Sequence, residues 1–281
     1  MRFFPFVLLL LLTACADYDT VSLTEPDAVD RRVAEAAERM DASPAGQRVA
    51  QAIEAHGGLE AWYRGGPMRY RYAYQRTDAD GNATGDPIDT YQLIDPWDAR
   101  AVHTVASDTM VRFGWNGEEA WIAPADAEPP INARFWALTP YYFVSMPFVL
   151  ADPGVNYALA PSDTVDGRPV DVIRITFDAG TGDAPDDYYD LLLDPQTNRV
   201  QGVRYIVSYF NPDGELAETT MLYDGAQSPG GGIWMQTGFR SFSSETGAQR
   251  AKGTLTDLRF DPDVPDEAFA KPEDARVQEG M

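Results

Sequence analysis

Apolar and polar positions alternate along most of the chain with a period of two residues. Tyr70, Tyr72 and Tyr74 share one side of such a segment, whereas Arg69 and Arg71 share the other. Further segments of this kind, separated by turn residues, are 87–94, 99–105, 108–115, 119–123, 154–160, 169–178, 187–194, 200–210, 215–223, 232–243 and 252–260. One apolar and one wet face is typical of antiparallel sheet covered on one side. The pattern therefore predicts a mainly β (α+β) fold, with a curved antiparallel sheet forming a meander or partial barrel.

Helical patterns come before this sheet. Ser43 suits the N-cap of a helix and Pro44 its first position, and the pair Gly57-Gly58 ends that helix. A short second turn, 59–64, carries Trp62.

A tight hairpin is predicted at Asn116-Gly117. This dipeptide is the strongest short-range hairpin signal, and it lies between two strand candidates that carry Trp115 and Trp121. We expect the two indole rings on either side of this turn to contribute to the apolar interior.

The segment 131–150 interrupts the alternation. Pro140 and Pro147 prevent one continuous helix, and no charged residue follows Arg134 within it. We interpret the segment as short helical pieces folded over one face of the sheet, as a plug or lid. Its aromatic residues either line or gate an apolar cavity or simply fill the core; they are Phe135, Trp136, Tyr141, Tyr142, Phe143 and Phe148. The tyrosines of the first strand allow the same two interpretations.

The first fifteen residues have the layout of a secretory signal. Arg2 precedes an apolar run, 3–12, that is too short to span a bilayer, and Leu-Thr-Ala comes directly before Cys15, the one cysteine of the sequence. This motif resembles a bacterial lipobox, which predicts removal of residues 1–14 and lipidation of Cys15; the alternative is an ordinary signal peptide with a cysteine nearby. The polar segment 15–42 is interpreted as a flexible tether in which 33–40 allow a short helix.

Charge and composition exclude several classes of function. The net charge of −22 disfavours binding of nucleic acid. His56 and His103 lie in no recognisable catalytic motif, so structural roles are predicted for both, with His56 as a dipole partner at a helix end. The acidic loop 78–82 has its glycine too early for a calcium loop. We therefore expect no metal, no cofactor and no enzymatic activity.

Several pieces of the chain together resemble a known family. They are Ala55-His56-Gly57-Gly58-Leu59 before Trp62, the hairpin from Gly114 to Trp121, the Pro140 to Phe148 segment, Asp190 to Thr197, and Phe260 to Pro272. Between residues 45 and 272 this pattern is similar to the outer-membrane lipoprotein-sorting (LolA/LolB-like) superfamily, and most similar to its bacterial lipoprotein relatives. The resemblance implies an incomplete β-barrel with short helices covering its open side and a cavity for acyl chains.

The predicted organisation has four parts: a signal peptide (1–14), the lipidated tether (15–42), one LolA/LolB-like domain (43–273) and a disordered tail (274–281). We expect a monomer that its lipid anchors in the cell envelope. Its predicted location is the outer membrane, with the protein facing the periplasm. The predicted ligand-binding residues are Trp62, Tyr70, Tyr72, Trp115, Trp121, Phe135, Trp136, Tyr141, Tyr142, Phe143 and Phe148.

Three functions stay open at this point. The first is binding of an apolar ligand, a lipid or the acyl chain of a lipoprotein. The second is a non-catalytic interaction protein with a solid core and an acidic docking face. The third is a hydrolase that uses cavity carboxylates such as Asp187 or Asp190 near His103.

Overall fold

One antiparallel sheet dominates the computed structural model, which describes residues 27–181, 187–209 and 216–279. Its strands are β1 (Met68–Arg76), β2 (Ile88–Asp95), β3 (Arg100–Val105), β4 (Arg112–Trp115), β5 (Ala120–Ala123), β6 (Val155–Val165), β7 (Arg168–Phe177), β8 (Tyr189–Leu193), β9 (Val200–Tyr205), β10 (Thr219–Gln227), β11 (Met235–Ser243), β12 (Gln249–Phe260) and β13 (Arg276–Val277). Their order is β13-β5-β4-β3-β2-β1-β12-β11-β10-β9-β8-β7-β6. Within the described ranges the edge strands β13 and β6 do not pair with each other, so the barrel is incomplete, as predicted.

Short helices cover one face of this sheet, which we call the inner face. They are α1 (Ala28–Asp41), α2 (Pro44–Ala55), α3 (Leu59–Arg64), α4 (Ala133–Trp136) and α5 (Thr139–Val144), with a 3₁₀ turn at Phe148–Ala151. A second 3₁₀ turn, Asp266–Phe269, places Phe269 on the opposite face of the sheet. The predicted cap of α2 is present, because the Ser43 side chain accepts a hydrogen bond from Gly46 N at 3.0 Å. Among the described residues, none of the helices combines the length and apolar character needed to cross a membrane.

The core lies between the helices and the inner face. Tyr70, Tyr72 and Tyr74 point into it from β1, as the alternation predicts. A smaller cluster on the outer face joins Trp121 to Phe269. The helices thus cover the inner face of the sheet, whereas apolar packing on the outer face is local.

The structure corrects two domain boundaries. The predicted tether 15–42 contains the helix α1, whose Ala36 and Met40 are buried in the core, because apolar residues recur at helical spacing along one of its faces. The predicted disordered tail includes β13, which pairs with β5 through Arg276 and Val277. Cys15 and the signal sequence lie outside the described residues.

A candidate ligand-binding site beneath the lid

The lid, residues 131–150, begins with a capped helical turn. The Asn132 side chain accepts a hydrogen bond from Phe135 N at 3.0 Å, which starts α4. Pro140 lies in the first turn of α5, where a proline is tolerated, and Pro147 comes before the 3₁₀ turn. The prediction of short helical pieces over one face of the sheet is confirmed.

Hydrogen bonds from side chains of the sheet hold the main chain of the lid. They run from His103 Nε2 to Ala137 O (2.9 Å), from Tyr223 Oη to Phe143 O (2.6 Å) and from Tyr157 Oη to Leu150 O (2.5 Å). The donors belong to three widely separated strands, β3, β10 and β6. The lid is therefore fastened near its beginning, middle and end by bonds to main-chain carbonyls, which do not depend on the lid's side chains.

Aromatic rings fill the contact between lid and sheet. The Trp136 ring centroid lies 5.2 Å from that of Tyr74 and 6.3 Å from that of Tyr72. Phe143 packs in the same way on Tyr205 at 4.8 Å and on Tyr189 at 5.9 Å. Edge-on and tilted ring pairs of this kind add stability beyond burial alone. The contact is closed in this structure, and a ligand would enter it only by parting these rings.

The remaining predicted aromatic residues of the lid extend the same contact. Tyr141 is buried, whereas Tyr142 and Phe135 are partly buried against the core. Tyr142 contacts the ring of Tyr189 at 5.4 Å, and Phe135 contacts Tyr209 at 5.2 Å. The rings of Tyr142 and Phe135 therefore lie at the end of the sheet opposite to Trp62.

Trp62 lies at the opposite end of the covered face. Its ring stacks on that of Phe148, with centroids 4.4 Å apart and an interplanar angle of 4°. Both side chains are about 1% exposed, so they form part of the solid core beside the lid.

The two tryptophans of the hairpin are not brought together. Trp115 of β4 pairs with Ala120 of β5, so these two side chains share one face of the sheet. Trp121 follows Ala120 in its strand and therefore points to the other face. Trp115 stays on the inner side, where the Arg134 guanidinium lies 4.1 Å from its ring centroid. The placement of Trp121 in the outer cluster with Phe269 removes it from the predicted ligand site.

Buried polar atoms without partners occur on both sides of the contact. Within the described part of the chain, these are Tyr70 Oη and Gln92 Oε1 from the sheet and Trp136 Nε1, Tyr142 Oη and Ser145 Oγ from the lid. A buried polar atom without a hydrogen bond costs free energy, and native proteins keep few of them. These atoms give the otherwise apolar contact a capacity for a few specific hydrogen bonds.

Both histidines are held in the neutral form. Burial lowers the pKa of each to about 4. The Nδ1–H of His56 donates to Trp234 O at 2.9 Å, and its Nε2 accepts from Val200 N at 3.2 Å. The structural role predicted for His56 holds, but its ring is uncharged and joins α2 to the sheet, so it is not the expected dipole partner.

The approach of α2 to the sheet depends on the glycine that follows His56. Gly57 has a φ of +115°, and a Cβ there would lie 2.7 Å from Gly232 O. The close contact of these two main chains lets the His56 ring reach its partners.

Asp190, one of the carboxylates considered for hydrolysis, lies away from His103. It is on the outer face of β8, where Arg174 is bonded to it, whereas His103 lies on the inner face of β3. Asp187 accepts a hydrogen bond from Ser208 N at 2.8 Å. Asp190 and His103 of the hydrolase hypothesis are thus on opposite sides of the sheet.

Sequence reasoning missed much of the sheet side of this site. Four further tyrosines of the sheet point to the lid: Tyr157, Tyr189, Tyr205 and Tyr223. Of the sheet tyrosines, only Tyr70 and Tyr72 of β1 were among the predicted ligand-binding residues. For Tyr205 a usable signal existed, because the sequence predicted its strand and Tyr205 alternates there with polar residues. For Tyr157 the signal was weak, because β6 is an edge strand with mostly exposed side chains.

Comparison with solved structures identifies the class of fold. The chain is similar to a LolA superfamily protein from Nitrosomonas europaea, with a TM-score of 0.55 and 14% identity, covering 81% of this chain and 97% of that one. A DUF1329 family protein from Desulfovibrio piger gives a TM-score of 0.49 at 15% identity, covering 86% and 97%. A domain assigned to outer membrane lipoprotein sorting in Vibrio parahaemolyticus gives 0.48 at 12% identity, covering 79% and 97%.

The chain has the LolA-like fold, so the resemblance predicted from its motifs is confirmed at the level of architecture. No protein-family model and no curated protein sequence matches it.

Proposed function

We propose that this protein binds the acyl chain of a lipid or lipoprotein between the lid and the inner face of the sheet. The observation that carries the proposal is the lid itself, an aromatic segment with no charged residue after Arg134 that is fastened to an aromatic face by three side-chain donors. The LolA-like fold supports the proposal, because the similar protein from Nitrosomonas europaea belongs to the LolA superfamily. The lid would open, admit the chain and close on it.

The energies involved are compatible with such opening. Each lid hydrogen bond contributes about 1 kcal/mol net. Burial of one methylene gains about 0.8 kcal/mol. Burial of about four methylenes therefore offsets the loss of all three bonds, and a long acyl chain leaves a surplus to offset the separated rings.

Native mass spectrometry on the full chain tests this proposal. We expect the purified protein to carry co-purified lipid, and we expect Phe143→Asp to lose it, because a carboxylate there would face Tyr205 and Tyr189 in the apolar contact. Leu159→Asp is the matched control, since Leu159 lies on the edge strand with 61% of its surface exposed. A wild-type protein that carries no lipid and takes up neither fatty acid nor phospholipid would refute the proposal.

We further propose that Cys15 anchors the protein in the cell envelope, in the outer membrane facing the periplasm. The Leu-Thr-Ala motif directly before Cys15 supports the anchor, and Ala16 directly after Cys15 is compatible with the outer membrane. Growth with an alkyne-tagged fatty acid should label the wild-type chain, whereas Cys15→Ser should stay unlabelled and keep its signal sequence. Equal labelling of both chains would contradict the anchor.

A second candidate is a non-catalytic interaction protein with a solid core. The stacked pair of Trp62 and Phe148 favours it, because these predicted ligand residues are packed against each other. The same lipid measurement separates the two functions: a lipid-free protein that stays folded and refuses all probes supports the interaction protein.

A further inference from the structure

A polar row crosses the apolar inner face beneath the lid. The strand register places Tyr70 of β1 opposite Gln92 of β2, and Gln92 opposite His103 of β3. Side chains in such positions are close neighbours, with Cβ atoms about 5 Å apart. All three are at most 2% exposed, so the row is shielded from water.

Hydrogen bonds in this row run in one direction. Because Ala137 O can only accept, His103 Nε2 carries the proton and His103 Nδ1 is the acceptor, which lies 3.5 Å from Thr90 Oγ1. Gln92 Nε2 donates to the same Thr90 Oγ1 at 3.0 Å. The amide of Gln92 is therefore oriented with Oε1 away from Thr90.

The chain of hydrogen bonds ends at Gln92 and does not continue to Tyr70. Among the described residues, neither Gln92 Oε1 nor Tyr70 Oη forms a hydrogen bond. Gln92 Oε1 can only accept, whereas Tyr70 Oη can donate and accept. A group that donates to the amide oxygen and accepts from the phenol would complete the row.

Among the described residues, the side chains that strand register and ring packing place beside this row are uncharged; they are Tyr72, Thr90 and Phe113. Burial alone raises the pKa of Tyr70, with no contribution from a neighbouring charge. Burial likewise lowers the pKa of His103 to about 4, which keeps the imidazole neutral. A carboxylate or phosphate placed there would be buried without a cation, which is strongly unfavourable, whereas a neutral hydroxyl would not.

We propose that Tyr70 and Gln92 form a polar subsite that binds a neutral hydroxyl group of a lipid whose acyl chain lies beneath the lid. This inference rests on the proposed lipid-binding function and narrows the ligand to hydroxyl-bearing neutral lipids such as acylglycerols. The hydroxyl accepts from Tyr70 and donates to Gln92 Oε1, while the hydrocarbon contacts the aromatic rings.

Competition between two lipids tests the subsite. The full chain in dodecyl maltoside is given an equimolar mixture of 1-oleoylglycerol and methyl oleate, which share an acyl chain but differ in hydroxyl groups, and native mass spectrometry reads the ratio of the two complexes. Partition into detergent is the same for every variant, so it cancels when ratios are compared. We expect Tyr70→Phe and Gln92→Leu each to lower the ratio by about fivefold, the change that corresponds to the loss of one hydrogen bond.

Tyr188→Phe is the control, because it removes a tyrosine hydroxyl that is bonded to Glu218, away from the lid and the row; it should leave the ratio unchanged. If wild type and both row variants bind the two lipids in the same ratio, the subsite is overturned, whereas the lipid-binding function stays intact. The free polar atoms of Tyr70 and Gln92 would then hold only a buried water. Failure of the wild type to bind either lipid would overturn the function and the subsite together. Tyr70→Phe should keep its melting temperature, which excludes misfolding as the cause of a changed ratio.

Discussion

Trp62 and Phe148 form a parallel stack that joins α3 to the end of the lid. Their centroids are 4.4 Å apart, and each ring is almost fully buried. Both positions were predicted from the sequence to line a ligand site. Their mutual contact makes this end of the lid part of the core, so we expect the proposed opening to involve α4 and α5.

Replacing Phe148 should therefore cost stability. We expect Phe148→Ala to lower the free energy of unfolding by about 3–5 kcal/mol, because it removes a fully buried ring and leaves a cavity beside Trp62. Urea denaturation followed by tryptophan fluorescence measures this change. Phe135→Ala is the comparison, since Phe135 is only partly buried on the same lid and should lose less. A loss below about 1 kcal/mol for Phe148→Ala would indicate that the ring faces open space.

The local parts of the fold could be predicted because they depend on neighbours in sequence. The period of two and the turn residues identified the strands of the sheet, and Pro140 and Pro147 identified the broken helices of the lid. The position of α1 was missed because its polar composition indicates a tether, whereas its stability comes from four buried apolar residues and from long-range contacts of its arginines.

The faces and fastenings of the site could not be predicted in the same way. The hairpin signal at Asn116-Gly117 was correct, yet the face of Trp121 depends on the register of the hairpin, in which Trp115 pairs with Ala120. The bond from Tyr223 to Phe143 joins residues 80 positions apart, and no local pattern marks it.

Loss of the central fastening should loosen the lid. We expect Tyr223→Phe to speed hydrogen exchange of the amides of Thr139–Val144 by about fivefold, because one hydrogen bond of about 1 kcal/mol is removed while the ring stays. Mass-spectrometric hydrogen exchange on lid peptides measures the effect. Tyr188→Phe is the matched control, since it removes a bond of the same 2.6 Å length, to Glu218, away from the lid. Equal protection of the lid in Tyr223→Phe and wild type would mean that this bond does not limit opening.

Arg32 should hold α1 on the domain. Its guanidinium lies between the rings of Tyr63 and Trp97, 4.5 and 4.6 Å from their centroids, and donates to Trp97 O at 2.6 Å and to Asp152 Oδ1 at 3.3 Å. We expect Arg32→Ala to lower the free energy of unfolding by about 2 kcal/mol and to speed exchange of the α1 amides, since both ring contacts and both hydrogen bonds are lost.

The neighbouring residue provides the control for α1. Arg31 pairs with Asp27 across one turn of the helix, where Arg31 is partly exposed and Asp27 is exposed, so Arg31→Ala should cost less than about 0.5 kcal/mol. Equal losses for the two variants would show that the ring contacts and hydrogen bonds of Arg32 add nothing.

Acid should destabilise the protein through its two buried histidines. The pKa of His56 and of His103 is lowered by burial to about 4, below the ordinary value of 6.5 that each regains on unfolding. Above pH 6.5 both states are neutral and the stability is complete; as the pH falls below 6.5, only the unfolded chain takes up these protons. The free energy of unfolding should therefore fall by about 2 kcal/mol per histidine between pH 7 and pH 5.

A single substitution isolates one of these contributions. His103→Gln lacks a titrating group, so its free energy of unfolding should be lower than that of the wild type at pH 7 but should fall about half as steeply to pH 5. Urea denaturation at half-unit pH intervals measures both slopes, and the window ends at pH 5 because carboxylates titrate below it. An identical slope in wild type and variant would mean that His103 takes up a proton in the folded protein as readily as in the unfolded chain. Its Nε2–H would still donate to Ala137 O, but its Nδ1 would become a donor to Thr90 Oγ1, which reverses the direction of that bond in the polar row.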